Sequence, residues 1–337
     1  MIKEVSLGPA EQLEVPEKLS EWGFFKGDMH ELNPVEGLLP YELNSPLFTD
    51  YAHKKRFIRL PEGKKVKYHS TEVMEFPVGT ILIKNFYYPA DFQKPEENIR
   101  MIETRLLIHE NQGWNAFTYV WNKEQTEAIL EISGKSVPVS WKDESGELRS
   151  IEYSVPNLVQ CKSCHERSGK MSPIGPTARQ LNRKYHFKEG KENQLKKWVN
   201  SGLLSAIPPL EEIPKLPVWD DRSTGDLAER ARAWLETNCA HCHRREGPAR
   251  NTGLYLLASE DDPYRIGIKK PPVAAGRGSA GLNYSIVPGN PDHSILYTRI
   301  NSLDPGVMMP ELGRKTIHTE GVKLIKDWIS EMNRKNN

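Results

Sequence analysis

The sequence predicts an α+β multidomain protein, with an N-terminal antiparallel β domain followed by mainly α-helical modules. Three observations predict it. Short β-branched and aromatic runs recur at close spacing before residue 155. Helical periodicity takes over beyond it. All four cysteines fall in the later part, in two Cys-x-x-Cys-His motifs. The 337 residues suffice for two or three domains. The expected boundaries are a β-rich domain over 1–154, a helical segment with a proline-rich link over 155–220, and a last domain over 221–337.

In the first region Lys55 to Leu60 ends at the turn signal Pro61-Glu62-Gly63. Thr80 to Tyr88 reads as a strand preceded by Pro77 and Gly79. Thr104–His109 and Trp114–Trp121 flank Asn111-Gln112-Gly113, a hairpin loop. Val137–Trp141 and Ile151–Val155 flank a second one at Glu144-Ser145-Gly146. Such spacing suggests a sandwich or barrel.

The character changes at Val155-Pro156-Asn157. From Glu192 to Leu204 the residues Leu195, Trp198, Val199 and Leu203 form a near-helical stripe. Pro208, Pro209, Pro214 and Pro217 mark a connector with little regular structure. Thr224 is the expected N-cap of a helix with Leu227, Ala231, Trp234 and Leu235 on one face. That helix leads into the second cysteine pair. A closing helix runs over Thr319 to Ile329, with Val322, Ile325 and Ile329 along one side.

Composition narrows the function classes. There are 46 basic and 45 acidic residues, a net charge of +1, which gives no reason to expect nucleic acid as a partner. No apolar run reaches the roughly 18 residues of a membrane span. The N-terminus, Met1 to Ser20, has no apolar core of a signal peptide. An exported chain is therefore expected to be a mature form, with Met1 standing where a signal was removed.

The chemistry lies in Cys161-Lys162-Ser163-Cys164-His165 and Cys239-Ala240-His241-Cys242-His243. Cys-x-x-Cys-His reads as attachment of c-type haem: two thiols add to the vinyl groups, and the adjacent histidine offers a neutral imidazole to iron. His165 and His243 are the expected proximal ligands, and the cofactors are two haem c. Zinc held by Cys161, Cys164, Cys239 and Cys242 is the competing reading. Its pairs are separated by residues 165–238, far beyond the usual roughly 15–20. A redox dithiol would want a βαβ setting, which is absent. His241 reads as a solvent-facing spacer.

For the second haem, Met309 in the loop Asp304-Pro305-Gly306-Val307-Met308-Met309-Pro310 is the expected sixth ligand, preferred over Met308 because a proline follows it directly. The first haem has no clear sixth ligand. Met171 follows His165 too closely. His186, His30, His69, His109, Met29, Met74 and Met101 read first as ordinary surface or core residues. Arg105 and Arg179 could pair with haem propionates, against a plain reading as surface charges.

On these motifs residues 221–337 resemble the small class I-type bacterial cytochrome c domains. The resemblance rests on the helix into Cys-x-x-Cys-His, Val287-Pro288-Gly289-Asn290-Pro291, Met309-Pro310 and the closing helix. Glu311 stands where family members more often have a second proline. The resemblance implies cytochrome c-like haem modules with terminal helices crossing over a buried haem. Most of the chain also resembles an uncharacterised family of secreted bacterial haem proteins, through Phe76–Thr80, Tyr119–Asn122 with Gln125-Thr126, and Pro173-Ile174-Gly175-Pro176 after His165.

The expected function is electron transfer by a diheme c-type cytochrome with redox proteins as partners, outside the cytoplasmic membrane. The alternative is a diheme redox enzyme, peroxidase-like, with an open or weakly ligated first haem. Trp114, Trp121, Trp141 and Tyr153 would then serve as relays, or else as plain core. A sensor, with the β domain recognising a ligand, is a third class.

Overall fold

The unbroken apolar run Leu106-Leu107-Ile108 puts apolar side chains on both faces of a strand, which calls for a sheet buried on both faces, and the computed structural model shows one. It describes residues 14–273 and 276–332. Met1 and the segment to residue 13 lie outside the described residues. The chain forms two units. The first holds residues up to Asn44, Ala52–Lys162 and Met171–Lys215; the second holds Ser45–Tyr51, Ser163–Lys170 and Leu216 onward. The segment 155–220 is thus shared between them, and the boundary falls inside the first cysteine motif.

The first unit is built on an antiparallel meander of six strands in sequence order: β1 (Leu38–Tyr41), β2 (His53–Arg59), β3 (Ile81–Pro89), β4 (Ile99–Glu110), β5 (Gly113–Trp121) and β6 (Ala128–Leu130). Glu110 pairs with Gly113, so the β4–β5 loop is Asn111-Gln112. One face carries Phe57, Ile81, Ile83, Leu106 and Ile108, covered by Trp22, Phe24 and Leu32. The indole of Trp22 donates to the Tyr119 hydroxyl at 2.8 Å. The other face carries Tyr41, Ile58, Leu82 and Leu107, covered by Leu181, Leu195 and Trp198. Strands β7 (Lys135–Lys142) and β8 (Leu148–Val155) form a ribbon. Its Trp141 and Tyr153 pack on Tyr88 of β3, at 5.0 and 6.2 Å between ring centres.

The expected mainly α-helical haem modules do not form. Only 24% of the structure is helix, short 3-10 helices included, and strand and loop dominate. The helices are α1 (Leu158–His165), α2 (Ala178–Leu181), α3 (Gln194–Asn200), α4 (Leu227–Cys239), α5 (Pro263–Ile266), α6 (Ile295–Ile300) and α7 (Thr319–Glu331). Only α4 and α7, at 13 residues each, exceed three turns. Glycine and proline supply the physical reason: left-handed Gly202 and Gly267 follow α3 and α5, and Pro305 and Pro310 break the chain between α6 and α7. The helix expected over 192–204 shrinks to α3, capped by Asn193. The N-cap expected at Thr224 is instead Asp226, which forms a capping box with Glu229. The Thr224 hydroxyl turns to the carbonyls of Val218 and Asp221.

The second unit gathers around α4 and α7. Ala231, Trp234 and Leu235 share a core with Val322, Ile325, Trp328 and Ile329. Gly321 permits this approach, since a Cβ there would overlap the Trp234 indole. The strap Ser45–Tyr51 joins the same unit. Phe48 stacks on His318 at 4.3 Å, and Asp50 Oδ1 accepts from the backbone of Lys315 and Thr316 at 2.7 and 2.8 Å. Among the described residues no helix is long and apolar enough to cross a membrane.

Candidate cofactor site

The second motif begins where α4 ends. Cys239 is its last residue and Ala240 its C-cap. The chain then turns tightly, with the amides of Cys242 and His243 both donating to the Cys239 carbonyl at 3.1 and 2.9 Å. Gly247 lies against this turn, because any Cβ would overlap the Cys242 carbonyl oxygen. The Leu256 amide donates to the His243 carbonyl at 2.9 Å and fixes its backbone.

His243 is prepared as a neutral donor. Burial, with the positive neighbours His241 and Arg299, pushes its pKa down to about 4, so the imidazole carries no charge at pH 7. Thr252 Oγ1 lies 3.4 Å from its Nδ1, and the Leu254 backbone also hydrogen-bonds the ring. Outer contacts of this kind orient a ligating imidazole.

Cys239, His243 and Met309 line one cleft that encloses about 890 Å³ of empty space, mouth included. Leu254, Leu256, Ile295, Leu296, Ile300, Pro271 and Pro272 supply apolar walls, and Lys270 and Arg299 bring positive charge. Met309 is held from both sides: its amide donates to the Arg299 carbonyl at 3.0 Å, and its carbonyl accepts from Arg314 at 3.1 Å. Met308 is buried and is not among the residues lining the cleft. Thiol, neutral imidazole, thioether and apolar walls with two cations fit a flat apolar macrocycle bearing carboxylates.

The first motif sits on α1, which opens with reciprocal bonds between Asn157 and Gln160 at 3.0 and 2.9 Å. No residue of α1 is fully buried, and Leu158 and Val159 are exposed. Cys161, Cys164 and His165 are all half-buried. The four-cysteine zinc set does not gather. Instead donor atoms of Cys164, His241 and Cys242 lie within 4.8 Å of one another, all in the second unit. The hydrogen bond between the two sulfurs holds the Cys164 thiol below its ordinary range and the Cys242 thiol above it. Burial pushes Cys239 up to about 12.

His241 is therefore not a solvent-facing spacer. Its Nδ1 is buried with no hydrogen-bond partner. The helix stops at Ala240, so the spacer turns inward instead of continuing an outer helical face. This gathering of residues from both motifs was missed in the sequence, and the histidine inside the second motif was its one visible sign.

Most of the side chains weighed as sixth ligand to a first haem have other employment. Met74 and Met101 are core residues. Met29 and Met171 pack against the two cores of the first unit. His109 stacks on Trp114 at 4.5 Å and binds the Phe76 carbonyl. His69 accepts from the amides of Thr71 and Glu72. His186 is exposed on a small ribbon, and His30 is half-buried. Trp121, Trp141 and Tyr153 are core residues and Trp114 packs against the core. Arg179 is half-buried. Arg105 pairs with Glu103 and lies within electrostatic reach of Cys161.

No protein family, curated protein or solved structure matches this chain.

Proposed function

We propose that the chain is a diheme c-type cytochrome that transfers electrons between redox partner proteins. The convergence of Cys239, His243 and Met309 on one apolar cleft carries this reading. A haem iron held there would cycle between its ferrous and ferric states and move one electron. The thiols of Cys239 and Cys242 would anchor the ring covalently, as those of Cys161 and Cys164 would on the first motif. His243 offers an uncharged nitrogen, and Met309 a soft thioether that favours the reduced state. The leucine and isoleucine walls exclude water, and Lys270 and Arg299 balance carboxylates. Haem attachment of this kind places the protein outside the cytoplasmic membrane, in the periplasm or beyond.

The test is the pyridine haemochrome spectrum of the denatured protein. Two haems of c type per chain are expected, with one lost in Cys161→Ser/Cys164→Ser and the other in Cys239→Ser/Cys242→Ser. A spectrum without haem overturns the reading.

One observation favours a second reading. Cys164, His241 and Cys242 offer two sulfurs and an imidazole within 4.8 Å, a donor set suited to zinc or copper. In that case the purified protein contains stoichiometric metal by elemental analysis, no haem, and loses the metal in Cys164→Ser.

A further inference from the structure

The sheet of the first unit carries a row of three basic side chains, of which Arg105 has a carboxylate partner in Glu103. Across three adjacent strands the register sets Arg56 opposite Lys84, and Lys84 opposite Arg105. Tyr41 continues the row beside Arg56, and Thr118 beside Arg105. Strands lie about 4.8 Å apart, and like charges directly opposite one another destabilise a sheet. The row lies one step along the same face from Ile58, Leu82 and Leu107, the residues covered by Trp198 and its neighbours.

These cations are not waving in solvent. Arg56 is 5% exposed, and its Nη2 is buried with no hydrogen-bond partner. The Lys84 ammonium and the Arg105 guanidinium both sit over the Phe86 ring, at 4.8 and 4.4 Å. Burial and the charges of Arg56, Lys54 and Arg105 drive the Lys84 pKa well below its ordinary range.

The nearby acids are committed. Glu103, fully buried, binds Arg105 through two oxygens at 2.9 and 2.5 Å and accepts from the Tyr153 hydroxyl at 2.5 Å. Glu42 faces Arg183 at 3.9 Å. A buried guanidinium edge left unpaired is costly, and a planar donor fork suits a carboxylate or phosphate.

We propose that Arg56, Lys84 and Arg105 form an anion site on the sheet that binds carboxylate groups, with Tyr41 and Thr118 flanking it. The occupant is a free carboxylate anion, and holding it gives the β sheet a task beyond packing.

The experiment uses the full-length protein as isolated, with Arg56→Gln and Lys84→Gln as the main variants. By isothermal calorimetry the wild type binds succinate, and each variant weakens that binding at least tenfold while keeping the wild-type circular dichroism spectrum. No heat with succinate in the wild type, or binding of equal strength in the wild type and both variants, overturns the proposal. A protein that carries no haem yet binds succinate would sink the haem reading and leave the site standing.

Discussion

At the scale of single residues, the account depends on what His243 and Met309 offer to one cleft. His243 is kept neutral by burial, and Met309 is fixed through its backbone to Arg299 and Arg314. Met309→Ala should abolish the long-wavelength sulfur-to-iron absorption band of the ferric protein and leave the haem count unchanged. A band that survives means another side chain ligates. The first motif gives the opposite expectation. Met74, Met101 and His109 are engaged in packing, and no other side chain weighed for the task is committed to it. The reduced protein should bind carbon monoxide at one haem per chain, and the Cys161→Ser/Cys164→Ser protein should lose that response. Two haems that ignore carbon monoxide would show a sixth ligand on both and leave a peroxidase without a vacant iron.

Much of the second motif was legible residue by residue. Covalent attachment needs cysteines and histidine at a fixed local spacing, and a thioether held beside proline leaves a local mark as well. His241 and Arg56 were not legible. The meaning of His241 depends on α4 ending at Ala240, and that of Arg56 on the register of three strands. Neither leaves a local signature.

At the scale of elements, the β-branched and aromatic runs and their hairpin loops transferred well from sequence to structure. The loops at Asn111-Gln112 and Glu144 to Gly146 join paired strands, because a hairpin is a short-range object. Helix length did not transfer. A stripe such as Leu195, Trp198, Val199 and Leu203 looks the same in a helix of two turns as in one of four. The left-handed Gly202, at φ 73°, and the ribbon ending at Asn193 settle the shorter length. The N-cap at Asp226 could have been read from Glu229 three residues on, which Thr224 lacks. The contact between α4 and α7 also yields a prediction. Gly321→Ala pushes a methyl into the Trp234 indole, and overpacking of this kind costs about 1–3 kcal/mol. Thermal unfolding should shift down accordingly. An unchanged melting temperature would mean that the two helices do not need this close approach.

At the scale of the whole molecule, the cysteines organise the chain more than the helices do. One motif straddles the boundary of the two units, and the other closes a helix of the second. The first unit has a core on each face of its sheet. The second has its own core around α4 and α7, beside an apolar cleft lined by Cys239, His243 and Met309. The central claim is that both motifs carry haem through covalent bonds. The intact mass of the protein, measured after denaturation in acid solvent, tests it most directly. The account predicts the mass of the polypeptide plus two haems. The mass of the bare polypeptide would contradict it.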